Sequence, residues 1–183
     1  MSDSLAIAAV TSALRQRLQR ALDASLPGTR VTIRPPDKAR DSQAGNQVNL
    51  FLFQTSPNAS WRNVATEPAG PGGLRQPPLA LNLLYLMSAH GRDDDDPEPF
   101  SHRLLGEAMR VLHEQPVLDL AELGPALAGG VERVRVRVTL QPLSLEEMTK
   151  LWTIFQTPYR LSVVYEATVV LIDRAPEGTG HGG

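Results

Sequence analysis

The chain has 183 residues, 42% of them apolar and 21% charged, with a formal charge of −2. This is the balance of one soluble globular domain with a substantial core, and it gives no electrostatic reason to expect nucleic acid or an anionic membrane as partner. Cysteine is absent, which removes disulfides, thiol catalysis and cysteine-ligated metals and suits a reducing compartment. The opening MSDSLAIAAV has acids and no basic stretch, so it is not expected to be a signal peptide. No apolar run approaches the roughly 20 residues of a membrane span.

Residues 4–25 predict a first helix, with Ile7, Val10, Leu14, Leu18, Ala21 and Leu22 as its apolar stripe. Arg15, Gln16, Arg17, Gln19, Arg20 and Asp23 are expected to cover its other sides, and Pro27-Gly28 to end it. Val31 and Ile33 mark a short strand halted by Pro35-Pro36, and residues 37–46 a loop. Gln47 to Thr55 sets Val48, Leu50 and Leu52 against Asn49, Phe51 and Phe53, the pattern of an interior strand. Residues 57–78 are too rich in proline and glycine for long regular structure. Leu79 to Ser88 is again apolar on both sides. After an acidic turn at 90–99, Phe100 to His113 predicts a helix through Leu104, Leu105, Ala108, Val111 and Leu112. Residues 116–130 form a connector with one helical turn near 119–123.

Val131 to Leu140 alternates cleanly, with Val134, Val136 and Val138 against Arg133, Arg135 and Arg137. Ser144 and Glu147 have capping-box spacing ahead of Leu145, Met148, Leu151, Trp152 and Phe155, which share one helical face. Pro158 stops that helix. From Tyr159 to Asp173 the alternation of Leu161, Val163, Tyr165 and Ala167 against Ser162, Glu166 and Thr168 predicts an unusually long strand, roughly 45 Å. The sum is an α+β fold: a mixed, largely antiparallel sheet of about five strands packed by about three helices. Residues 1–173 are expected to form one domain, and 174–183 a disordered glycine-rich tail.

Chemistry-bearing patterns are scarce. None of His90, His102, His113 and His181 pairs at metal-site spacing, so no metal is expected. Asp93 to Asp96 lack the alternating ligands of a calcium loop, and Gly70 to Gly73 lack the strand-loop-helix context of a phosphate cradle. No catalytic residue and no cofactor is expected. The candidates for contact are Trp61, Arg62 and Asn63 in the irregular loop, the arginine row 133, 135 and 137, and Tyr165 and Thr168 on the last strand. Each has a plainer explanation in a solvated face or a packed side chain.

Four strings together resemble one family: NLFLFQTSPNASWRN at 49–63, PPLALNLLYLMSAHG at 77–91, HRLLGEAMRVLHEQPVL at 102–118, and LQPLSLEEMTKLWTIFQTPYRLSVVYEATVVLID at 140–173. They are similar to the cap (tail-terminator) proteins of phage-tail-like extracellular contractile injection systems, the Pvc-type particles. The resemblance implies a phage tail-terminator-like fold and no enzymatic activity. It implies a homohexameric ring that closes the inner tube and contractile sheath at the baseplate-distal end. The implied partners are the sheath protein and inner tube protein, with the tape-measure protein as a further candidate. Assembly is implied in the cytoplasm, on a particle that is either released or retained. A cap could also accept an arm from a sheath subunit along a free strand edge, and the 159–173 strand or its edge neighbour is the expected place. The competing expectations are an adaptor that links the particle to a membrane or to cargo, and a small-ligand binder or enzyme, which needs polar groups converging in a pocket.

Overall fold

A computed structural model describes residues 5–40, 45–61, 79–91, 99–123 and 136–172. Helix α1 (Ala6–Ser25) buries Val10, Leu14, Leu18 and Leu22, the stripe expected from its period. The helix ends where Leu26 returns its amide to Leu22 O, and Gly28 then takes φ +81°, a left-handed conformation natural to glycine. Strand β1 (Arg30–Thr32) follows, then β2 (Gln47–Pro57) and β3 (Leu79–His90). Helix α2 (Phe100–Glu114) buries Leu104, Leu105, Ala108, Val111 and Leu112. The rest is β4 (Val117–Leu118), the single turn α3 (Leu120–Leu123), β5 (Val136–Gln141), α4 (Leu145–Ile154) and β6 (Ser162–Ile172).

The strands form one sheet in the order β1-β2-β3-β6-β5-β4. Among the described residues β1 alone runs parallel to its neighbour, and the other four pairings are antiparallel. The α+β architecture therefore agrees with expectation, with six strands among the described residues in place of about five. The additional strand is β4, whose two residues are too short for alternation to reveal.

Period 2 along each strand divides the core between two faces. Val48, Leu50, Leu83, Tyr85, Met87, Tyr165, Ala167, Val136 and Val138 pack with α1 and α2. The intervening residues Leu86 and Val164 pack with Met148 and Trp152 of α4. The sheet is thus covered by two helices on one side and by one short helix on the other. On the α1 side the Tyr85 hydroxyl meets Thr11 Oγ1 at 2.8 Å, and burial pushes its pKa up to about 12.

Two expectations need correction. The last strand begins at Ser162, not Tyr159, and has 11 residues. Its ladder with β3 starts at the Ser88–Ser162 pair, while Tyr159 and Leu161 are about half exposed. It is also interior: β3 lies along one side and β5 along the other, so β6 offers no edge between Val164 and Thr168. The second correction is Arg17, expected at the surface but only 5% exposed. Its Nε donates to Glu122 Oε1 at 2.9 Å, and its Nη2 to Val117 O at 2.8 Å. Further short contacts run from Nη1 to Gln115 O and from Nη2 to Glu122 Oε2. One guanidinium thus fastens α1 to β4 and α3, with the charge paired and its donors satisfied as burial requires.

Candidate assembly interface

The sparsely covered face of the sheet is built around α4. Ser144 caps this helix: its Oγ accepts from Glu147 N at 3.2 Å, and Glu147 Oε2 accepts from Ser144 N at 2.8 Å. Those bonds hold the Glu147 carboxyl below its ordinary pKa. Met148 and Trp152 are the helix's buried anchors. The Trp152 indole N–H donates to Ser162 Oγ at 3.0 Å, and that hydroxyl in turn donates to Arg160 O at 3.0 Å. Phe155 meets Phe51 edge-on at 5.5 Å, and Tyr159 meets Trp152 at 6.3 Å. Gln156 closes the helix with φ +52°, left-handed and unusual for a residue with a side chain.

Around these anchors the surface is apolar. Among the described residues nine large apolar side chains are exposed, and six of them fall between 140 and 161: Leu143, Leu145, Ile154, Tyr159 and Leu161 in α4 and its flanks, and Leu140, which lies opposite Tyr165 on the α1 side. Leu145 was expected in the buried stripe; it is the first residue of the helix and stands 72% exposed. A cluster of exposed apolar groups on one short segment is the mark of a contact surface, since single ones are ordinary.

The remainder of this face is held by polar groups. Asn49 Oδ1 accepts from Thr32 Oγ1 at 2.7 Å and from Arg34 N at 3.0 Å, while its Nδ2 donates to Arg34 O at 2.9 Å. Gln47 Nε2 donates to Ala39 O at 2.7 Å. Two buried amides therefore satisfy the backbone of the segment after β1, where the sequence showed only a polar loop. On the β5–β6 side Arg137 faces Thr168 across the ladder and Thr139 faces Glu166. Gln141 Nε2 donates to Glu166 Oε2 at 2.6 Å. Arg137 is exposed, and Thr168 and Glu166 are partly so.

The structure thus brings Arg137 and Thr168 together as cross-strand partners. Tyr165 lies apart from them, on the α1 side and 5% exposed, with its hydroxyl pKa raised by burial. Trp61 ends a short 3-10 turn, Ala59–Trp61. Arg62, Asn63, Arg133 and Arg135 lie outside the described residues, as do Asp93 to Asp96, the Gly70 to Gly73 run and the 174–183 tail. Missed from the sequence were Leu143, Ile154 and Leu161. The available signal was Ile154 itself, an apolar residue lying off the stripe of its own helix.

A cleft of about 770 Å³ opens between the ends of α1 and α2 and the connector after α2. Its cations are engaged from within: Arg17 and Arg20 with Glu122, the latter at 3.6 Å, and Arg110 with Glu114 at 2.6 Å. Such an arrangement braces the helix ends and places no convergent charge on a ligand.

Comparison with known proteins adds to this geometry. The Pvc16 N-terminal domain family matches residues 9–181. The fold is similar to the sheath/tube terminator of an extracellular contractile injection system, PVC, in its extended state. That likeness has 17% identity and a TM-score of 0.63, over 93% of this chain and 57% of that one. It is also similar to the tube-terminating cap of the anti-feeding prophage, with 18% identity and a TM-score of 0.66 over 93% and 56%. At these identities the likeness is one of fold, and the chain spans a little over half the length of each. Curated protein sequences yielded no match.

Proposed function

Because the chain belongs to the Pvc16 N-terminal domain family, we propose that it is a structural cap of a phage-tail-like contractile injection system. In this role it forms a hexameric ring that ends the inner tube and contractile sheath at the baseplate-distal end. Its partners are further copies of itself, the sheath protein and the inner tube protein, with the tape-measure protein as a further candidate. Assembly takes place in the cytoplasm, and the role is not catalytic.

The observation that carries this proposal is the extent of the shared fold, 93% of the chain superposing on a sheath/tube terminator and on a tube-terminating cap. The surface supports it. A terminator needs one face that meets the polymer end and a head-to-tail contact that closes by rotation. The apolar fringe of α4 beside the polar Arg137–Thr168 strip is suited to protein contact. Analytical ultracentrifugation with negative-stain class averages of the purified protein tests the ring. Six-fold rings at six times the chain mass are expected; a monomer at every concentration, or a ring of different symmetry, contradicts the hexamer.

A further inference from the structure

The two ends of the sheet differ in whether another strand can be added. At the β4 end, Pro116 O turns inward and accepts from Val138 N at 2.7 Å. The carbonyls on either side, Gln115 O and Val117 O, turn outward, and both are taken by the Arg17 guanidinium. A strand approaching β4 would have to displace a buried arginine already held by Glu122. This is an edge closed by a charged side chain, one of the ways natural sheets block unwanted pairing. Beyond β4, among the described residues, the same side of β5 leaves Thr139 to Gln141 uncovered, and Pro142 follows.

Among the described residues the opposite end is open. Strand β1 covers only Gln47 to Asn49 of β2. From Leu50 to Pro57, among the described residues, no strand lies along that side. Arg30 N donates to Asn46 O at 2.9 Å, so Leu50 and Leu52 also turn their backbone groups to the outer side; the bulge between Leu52 and Gln54 shifts the alternation, and beyond it Thr55 and Pro57 take that side. Leu52, Phe51 and Phe53 are only partly buried and alternate between the two faces of the sheet. An added strand would find backbone partners at the edge and apolar neighbours above and below it.

None of the described strands is the occupant. All six described strands already lie in the sheet. Elsewhere the sequence has Pro68, Pro71, Pro77 and Pro78 within 62–78, Pro125 with Gly124, Gly129 and Gly130 before β5, and a glycine-rich run after 173. Prolines cannot donate to a ladder and glycines weaken one. We infer that the outer edge of β2, Leu50 to Pro57, accepts an extended arm of a partner polypeptide with alternating apolar residues, while Arg17 keeps the β4 edge shut. This rests on the terminator role proposed above and assigns the strand-accepting site to the end of the sheet opposite β5, not to β6.

Hydrogen–deuterium exchange tests it on the purified full chain, alone and bound to sheath–tube particles assembled without it. Alone, the outward amides of Leu52 and Thr55 exchange fast while those of β6 stay protected; on the particle these β2 amides become protected. Leu52→Pro removes one outward donor on an edge strand, where proline is tolerated. It should leave rings intact and weaken binding to particle ends about tenfold, the scale of one lost hydrogen bond with its side-chain contact. Should Leu52→Pro unfold, Thr55→Lys on the exposed part of the strand serves instead, with the same expected loss. Protection of the Leu52 and Thr55 amides in the free chain overturns the inference, because the chain then fills its own edge. Binding without new protection, or with wild-type strength in both variants, also overturns it but leaves the terminator role standing. Failure of the unmodified chain to bind particle ends removes both.

Discussion

Truncating Trp152 tests how the less-covered face is held. The residue is 2% exposed and forms a small buried cluster with Leu86, Met148 and Val164. Large-to-small changes of this kind cost about 3–5 kcal/mol. Here the lower end applies, about 3 kcal/mol, because the cluster borders partly buried Leu84, Leu151 and Phe155, which can move into the space. Ser162 keeps its bond to Arg160 O, so no buried hydroxyl is orphaned. The loss should also be local. Helix α4 has ten residues and two buried anchors, and a helix that short is marginal without tertiary support. Trp152→Ala should therefore lower stability in urea by about 3 kcal/mol, followed by far-UV circular dichroism. Exchange of residues 145–154 should rise sharply while α1 stays protected. A loss below about 1 kcal/mol with α4 still protected would refute this account and place Trp152 at a surface contact.

Arg17→Leu leaves Gln115 O and Val117 O without their donor and Glu122 with only the longer Arg20 contact and the Asp119 amide, and should cost about 3 kcal/mol in denaturant titration. It should also raise concentration-dependent self-association seen by light scattering, because the β4 edge opens. Ser144→Ala should cost about 1 kcal/mol by thermal melting. Since Glu147's folded pKa lies below its ordinary 4.5, the cap's contribution is complete above that pH and fades as pH falls through the lowered value. The difference between Ser144→Ala and the unmodified chain should therefore shrink in acid. Thr168→Pro should unfold the domain itself, by about 3 kcal/mol or more, since Thr168 is paired in the sheet interior. Loss of rings in that variant would thus reflect loss of the protomer; a folded monomer by circular dichroism contradicts its interior placement.

Elements that depend on local periodicity were legible in the sequence. The stripes of α1 and α2, the two-sided β2 and β3, and the Ser144–Glu147 box are each set by residues a few positions apart. Features that depend on distant partners were not. Arg17 occupies a core-facing position of its helix beside Leu14 and Leu18, but charge alone suggests solvent, and its ligand Glu122 lies 105 residues away. Tyr159 and Leu161 continue the alternation of β6, yet the ladder begins only at Ser162. Strand β4 exists because β5 and Arg17 hold its backbone, not because two residues specify a strand. Of the candidate interface, Arg137 and Thr168 could be named from alternation, but their pairing could not. The exposed fringe of α4 was hidden because Leu145 fits the stripe and still remains outside it.

The proposed role of this chain is to end a contractile particle. It is tested most directly by electron microscopy of sheath–tube particles assembled without it and then mixed with the purified, gold-labelled protein. The account predicts a single cap of density at the baseplate-distal end of each particle and none along the shaft. Label scattered along the sheath, at the baseplate, or absent from the particles would contradict it.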